Sequence, residues 1–419
     1  MVSDRAPATQ RAATLAVVVA ALGYFVDIYD LILFGTVRKP SLIELGYTTK
    51  EALTEQGLFL INCQMGGLLV GGIVWGILGD KRGRLSVLFG SIIMYSLANL
   101  ANGMVHSIEA YAACRIVAGV GLAGELGAGI TLVSELMDKK HRGIATAIVA
   151  GFGICGGIAA GIVGGGIPSL YAGAYWRHAY FIGGGLGLVL LVLRIGVVES
   201  GMFHAVQKSA VVRGNFLALF TDRARFVRYI GLIAVGVPIW YVVGILITFC
   251  DPIGAGLGLD PAPRAATALM ICYAGLAVGD VGSGLISQWI GSRRRALWIF
   301  VGGTAASVAL YFAIGGMSLT AFYVACAIMG LFTGYWAVFV TVAAEQFGTN
   351  LRATVATTTP NFVRGSVVLL ALGFEHLTPA LGIVGAAAAC GVFAIGVAAL
   401  GMTSIRETFG VDLDYVEEH

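Results

Sequence analysis

Twelve stretches of about 20 or more mostly apolar residues, parted by short polar turns, fill this chain almost end to end. They cover 12–36, 55–78, 86–104, 109–136, 144–167, 176–199, 227–250, 264–290, 296–316, 319–344, 353–377 and 380–402. In hydrocarbon the backbone must satisfy its own hydrogen bonds, so runs of this length are helices. Only 12% of residues are charged and 58% are hydrophobic, against about 25% charged in an ordinary soluble domain. A disordered chain and a soluble globule are both excluded by that balance. The expected fold class is an all-α integral membrane protein whose first solvent partner is the lipid bilayer. The net charge of +3 points to no nucleic-acid partner. The first apolar run carries Asp27 and Asp30 and lacks a cleavage site, so it reads as a retained span and not a signal peptide.

Basic residues set the orientation. With both termini on one side, 18 of the 26 Lys and Arg residues fall on that side. Five fall on the other, namely Arg38, Lys39, Lys50, Arg177 and Arg264, and Arg115, Arg194 and Arg364 lie within spans. The positive-inside rule then places both termini in the cytoplasm, in a plasma (inner) membrane. The second half echoes the first at an offset of roughly 210 residues, as inverted or parallel repeats do in transporters. Glu135 precedes Arg142-Gly143 by seven residues, and Glu345 precedes Arg352-Ala353 by seven. The expected organisation is a six-helix bundle over 1–199, a cytoplasmic linker over 200–226 and a second six-helix bundle over 227–419. A monomer is expected.

Two glycine patterns, Gly119-Val-Gly121-Leu-Ala-Gly124 and Gly151-Phe-Gly153-Ile-Cys-Gly156, match the dinucleotide fingerprint, but neither follows a strand. Gly157, Gly161 and Gly165 recur every fourth residue, the mark of a helix-packing face. No Walker lysine motif, metalloprotease motif or nucleophile elbow occurs, so the chain reads as neither an ATP-driven pump nor an enzyme. The seven cysteines sit in apolar stretches without metal-ligand spacing and read as small buried hydrophobes, with no metal site.

Ionisable groups at membrane depth are costly, at about 2.5–3.5 kcal/mol each on insertion scales, and so mark function. By depth, Asp27, Glu125, Asp280 and Arg364 lie near the midplane, with Asp30 and Arg115 five to seven residues closer to the outside. Asp27 and Asp30 are three apart and read as sharing one helix face. Asp30 and Arg115 match in depth for an ion pair. Proton-coupling candidates are therefore Asp27, Asp30, Arg115 and Glu125. Four acids against two bases sum to −2, which calls for protons or a cation. Arg364, with Asn361 near it, suits a substrate carboxylate, and Asp280 reads either as its partner or as a substrate group. Tyr24, Trp240, Tyr241, Tyr335 and Trp336 are deep aromatics that could line a cavity.

The loop after the second span, with Gly76, Leu78, Gly79, Asp80, Lys81, Gly83 and Arg84, closely resembles the Gly-x-Leu-x-Asp-(Arg/Lys)-x-Gly-Arg signature of the major facilitator superfamily. Arg115-x-x-x-Gly119-x-Gly121 resembles a second signature of that family. Asp27-Ile28-Tyr29-Asp30 and Ala123-Gly124-Glu125 are similar to stretches of its metabolite:proton symporters, with sugar porters as the related branch. The resemblance implies two pseudo-symmetric bundles around a central site. It also implies an Asp of the first helix facing an Arg of the fourth, as in the xylose:proton symporter. Gating falls to Gly79, Asp80, Lys81, Gly83, Arg84, Glu135, Arg142, Glu345 and Arg352 at the cytoplasmic face. The second-half copy of the loop departs from the pattern, with Gln288 where an acid should stand. The expected function is alternating-access, proton-coupled symport of a small carboxylate-bearing or zwitterionic metabolite. The alternative is a proton-independent facilitator or exporter of the same fold, for which the −2 balance allows a cationic substrate. No cofactor is expected beyond the coupling proton.

Overall fold

The computed structural model describes residues 7–82, 84–125, 142–166, 176–199 and 216–410. Gly83 and Glu135 lie outside them, as do the side chains of Asp80, Lys81, Arg84 and Arg142, so the gating expectations there meet no geometry.

The described residues form helices and no strands. In chain order they are α1 (Pro7–Glu44), α2 (Lys50–Arg82), α3 (Arg84–Asn102), α4 (Ile108–Leu122), α5 (Arg142–Gly161) and α6 (Trp176–Glu199). The second half follows with α7 (Arg223–Tyr241), α8 (Cys250–Gly256), α9 (Ala265–Ile290), α10 (Arg293–Ile314), α11 (Leu319–Thr333), α12 (Trp336–Glu345) and α13 (Thr349–Ser404). A π-helical turn, Val242–Ile247, leads from α7 toward α8. Eight described segments are long and apolar enough to cross a membrane, and two shorter apolar helices accompany them.

The structure differs from the expected spans in three places. The first span continues to Glu44, so Arg38 and Lys39 belong to a helix and not to a loop. The tenth is broken into α11 and α12 at Gly334 and Tyr335, where the α11 end presses on α9: a Cβ on Gly334 would lie 2.6 Å from the Asp280 backbone nitrogen. The last two spans are one helical run of 56 residues, interrupted at Gly382 (φ 68°, ψ 168°), and Pro379 lies within it. The left-handed φ at Gly382 is a turn only glycine takes without strain.

Packing follows a twofold pattern. In the first half α1 packs on α5, α2 on α4, and α3 on α4. In the second, α7 packs on α13, α9 on α11, and α10 on α11. The halves meet where α2 lies on α13 and α5 on α9. Glycines make these approaches possible. A Cβ on Gly153 would sit 1.8 Å from the Tyr24 ring, and one on Gly157 would sit 2.2 Å from the Tyr273 ring. A Cβ on Gly161 would lie 2.6 Å from Met270. The expected packing face is thus real over Gly157 and Gly161, and it seats α9 of the other half. Gly157→Val is expected to lower the melting temperature by an overpacking cost of about 1–3 kcal/mol. Gly151→Val, with nothing within 4 Å of its Cβ position, should leave it unchanged.

Candidate functional site: buried ion pairs at three depths

The deepest pair joins the two halves. Arg364 of α13 donates from Nη2 to Asp27 Oδ2 of α1 at 3.0 Å, and both side chains are fully buried. The Arg364 guanidinium carbon lies 5.8 Å from the centroid of Trp336, the first residue of α12. The Trp336 indole is in hydrogen-bonding reach of the Tyr24 hydroxyl, and Tyr273 of α9 stands within electrostatic range of Arg364. Arg364 Nε and Nη1 and Asp27 Oδ1 have no partner. The sequence reading put Asp27 and Arg364 both near the midplane and left Asp280 open as a partner of Arg364 or a substrate group; the acid on Arg364 is Asp27.

Asp280 does not pair with Arg364. Its carboxylate accepts the backbone N–H of Ala337 at 2.8 Å, and that of Trp336, at the N-terminus of α12. A helix that starts inside the membrane leaves orphan N–H groups, and a carboxylate there satisfies them and favours the helix dipole. Asn361 likewise spends its amide on the scaffold, donating to Ala123 O at 3.0 Å across the half-to-half boundary. Tyr335 donates to Val235 O at 2.9 Å, and Tyr241 to Ala387 O at 2.7 Å, both within the second half. Trp240 is buried in α7 with its indole nitrogen unpartnered.

Asp30 and Arg115 do not form an ion pair among the described residues. Arg115 donates to Gln64 Oε1 of α2 and to the Tyr180 hydroxyl at 3.5 Å, and it lies over the Phe34 ring at 4.8 Å. Asp30 instead rests against α6, where a Cβ on Gly183 would meet its Oδ1 at 2.3 Å, and neither of its oxygens has a hydrogen-bond partner. Three residues at about 100° each leave Asp27 and Asp30 about 60° apart around α1. That divergence aims one at the other half and the other into its own bundle. Glu125 is held by Arg194 of α6 in a two-pronged pair, Nη1 to Oε2 at 3.0 Å and Nη2 to Oε1. Counting Arg194, the six groups plus one sum to −1 and not −2. Its depth was the available signal.

A second pair joins the halves at the face that carries the α1–α2 and α3–α4 turns. Arg38 Nη2 meets Asp251 Oδ1 of α8, Arg38 Nη1 donates to Leu53 O at 3.1 Å, and its guanidinium stacks 4.6 Å from the Phe249 ring. Arg38 is fully buried there, and Lys39 reaches Asp251 Oδ2 at 3.9 Å. Sequence reading put Arg38 and Lys39 beyond the first span, on the side opposite the termini, and named Asp251 nowhere. The missing signal was the length of α1.

At the opposite face, Arg293 pairs with Glu345 at 2.7 Å, and Arg352 acts electrostatically on the same carboxylate. Both partners belong to the second half, so among the described residues this network braces one bundle. The acid absent at Gln288 is supplied from beyond α13. Glu407 accepts from Ser292 Oγ and, at 3.0 Å, from the N–H of Arg293 at the start of α10. Partial burial pushes its carboxyl up, but the bonds from Ser292, Phe409, Arg293 and Thr408 outweigh that and hold it below the ordinary range.

The profile of the Major Facilitator Superfamily matches residues 20–371. A protein of Cupriavidus pinatubonensis named "Probable 4-methylmuconolactone transporter" is 24% identical over 94% of this chain and 91% of its own length. The 3-(3-hydroxy-phenyl)propionate transporter of Escherichia coli is 28% identical over 81% of this chain and 83% of its own. The gentisate transporter of Corynebacterium glutamicum is 25% identical over 78% and 73%. Helices of membrane length, two halves that pack alike, and charges buried between them are what such transporters are made of. The chain belongs to the major facilitator superfamily: an integral membrane transporter of small molecules, and not an enzyme.

Proposed function

We propose that the protein imports a small ring-bearing carboxylate together with a proton, with bundles 1–199 and 227–419 exchanging access about the Asp27–Arg364 pair. Both termini lie in the cytoplasm and the membrane is the inner one, as the basic-residue asymmetry suggests. The observation that carries this reading is one buried guanidinium with one acid on Nη2 and two nitrogens, Nε and Nη1, unpartnered. Those nitrogens suit a second carboxylate, held by parallel hydrogen bonds. Two ionised carboxylates on a single Arg in a low-dielectric site repel each other, so substrate binding favours the protonated form of Asp27. By linkage, a proton on Asp27 favours substrate to the same degree, and that mutual preference is symport. Tyr24, Tyr273 and Trp336 around the pair offer flat apolar surface for a ring. Two of the relatives are named for aromatic carboxylates. Asp30 serves as a second proton acceptor, and Glu125 stays paired with Arg194.

Uptake of aromatic acids into proteoliposomes, with and without an imposed inside-alkaline pH gradient, tests the reading. Accumulation above the external concentration is expected only with the gradient. Asp27→Asn is expected to retain binding, read as a substrate-induced rise in melting temperature, and to lose accumulation. Gradient-independent uptake by the wild type would replace symport with facilitated diffusion.

A further inference from the structure

One face of α3 carries polar side chains that nothing in the scheme above uses. Tyr95, Ser96, Asn99 and Asn102 recur at three- and four-residue spacing, which places them along one side of the helix. All four are 1% exposed or less. The Tyr95 hydroxyl, Ser96 Oγ and both amide atoms of Asn99 and of Asn102 lack any hydrogen-bond partner. Both oxygens of Asp30, 1% exposed on α1, are in the same condition. Buried polar groups almost always have partners, so five such residues in one place are not chance.

The stripe has a direction. Asn102 ends α3 at the face of the α3–α4 turn, where Arg177 ties Gly103 O, Val105 O and Glu44 together. Asn99, one turn deeper, is in hydrogen-bonding reach of the Asp30 carboxylate, though no bond of good geometry forms between them. Ser96 and Tyr95 follow, and Tyr95 stands within electrostatic range of Asp30, Glu125 and Arg194. Glycines of α6 press this file close. A Cβ on Gly183 would meet Asp30 Oδ1 at 2.3 Å, and one on Gly187 would meet Ser96 Oγ at 2.1 Å. The charged and titratable groups around Asp30 are Asp27 on its own helix, Tyr95 on α3, Arg115 on α4 and Tyr180 on α6.

We propose that this stripe is a hydrated proton path inside the first bundle, leading from the outer face through Asn102 and Asn99 to Asp30, separate from the substrate route between the bundles. Hydroxyls and amides at that spacing can each hold a water, and a chain of waters passes a proton by successive hydrogen-bond exchange. At its end a hydronium gives its proton to the Asp30 carboxylate, leaving water and a neutral acid. The path rests on the symport reading, since it delivers a proton to Asp30, the second acceptor, one turn along α1 from Asp27.

The test is Asn99→Leu and Asn102→Leu in proteoliposomes. Leucine keeps the amide's shape and removes its polar atoms. Proton-driven accumulation is expected to slow at least about tenfold, the scale of losing a positioned proton-transfer group. Substrate counterflow, which needs no net proton movement, should stay within about twofold. The melting temperature should hold or rise, because an unpartnered buried amide has been replaced by an apolar group. Asn99→Ser should restore most of the accumulation. Equal accumulation in wild type and both Leu variants would overturn the path while leaving symport standing. Counterflow and melting temperature falling together would overturn it too, returning the stripe to a structural role. A wild type that ignores the pH gradient would remove both readings at once.

Discussion

Arg364→Ala is expected to reduce uptake to background and to destabilise the protein together. The wild-type side chain is fully buried against Asp27, so removing it strands a carboxylate without a counter-charge between the halves. Breaking such a pair costs about 3–5 kcal/mol. Loss of transport alone would therefore be ambiguous, and a second variant separates the causes. Asp27→Asn with Arg364→Gln removes both charges and keeps the hydrogen-bonding shape, so its melting temperature should recover toward wild type. On the proposed reading uptake should not recover, because nothing remains to hold the substrate's carboxylate. Arg364→Lys should fold but bind far more weakly, since an ammonium cannot form two parallel bonds or spread over the Trp336 face. Restored transport in the double variant would show that Arg364 is structural and that substrate is held elsewhere.

Asp251→Ala and Arg38→Leu are each expected to open the outer face. In the structure that face is shut by Arg38, whose guanidinium is held by Asp251, by Leu53 O and by the Phe249 ring. These contacts exist only while α1 and α8 touch, so on the proposed orientation they stabilise the outward-closed form. Removing about 3 kcal/mol of such bias shifts the ratio of closed to open forms by about 100-fold. A reporter lies next to the latch: Thr248 packs against Gly35 across the boundary, with its Oγ1 3.0 Å from the Gly35 Cβ position. In a background lacking the native cysteines, Thr248→Cys should react slowly with an impermeant maleimide. The Asp251→Ala background should raise that rate sharply. An unchanged rate would make the pair a static brace.

The span pattern, the repeat and the family signatures were legible in the sequence because each depends on composition along one dimension. Depth is also one-dimensional, and it placed Asp27 and Arg364 at one level. Azimuth is not in the depth of a residue. Asp30 and Arg115 share a level yet face different neighbours, Gly183 on α6 and Gln64 on α2. Asp280 and Arg364 likewise share a level, but the break at Gly334 supplied Asp280 with backbone donors that no hydropathy profile shows. Arg38 was misplaced for a third reason: a helix can run several turns past its apolar stretch when a partner such as Asp251 waits for its charge.

The carboxylate of Asp280 also bears on how the chain is assembled. It caps a helix whose first residue lies 56 positions later, at Trp336. During synthesis α9 therefore enters the bilayer before the broken span that needs it. Until the two meet, α12 carries unsatisfied N–H groups in hydrocarbon, each worth several kcal/mol. The break at Gly334 and Tyr335 is tolerable only for a span that arrives beside a neighbour already in place. The order of synthesis is thus written into the order of the helices, with the acid made first and the helix that depends on it made afterwards.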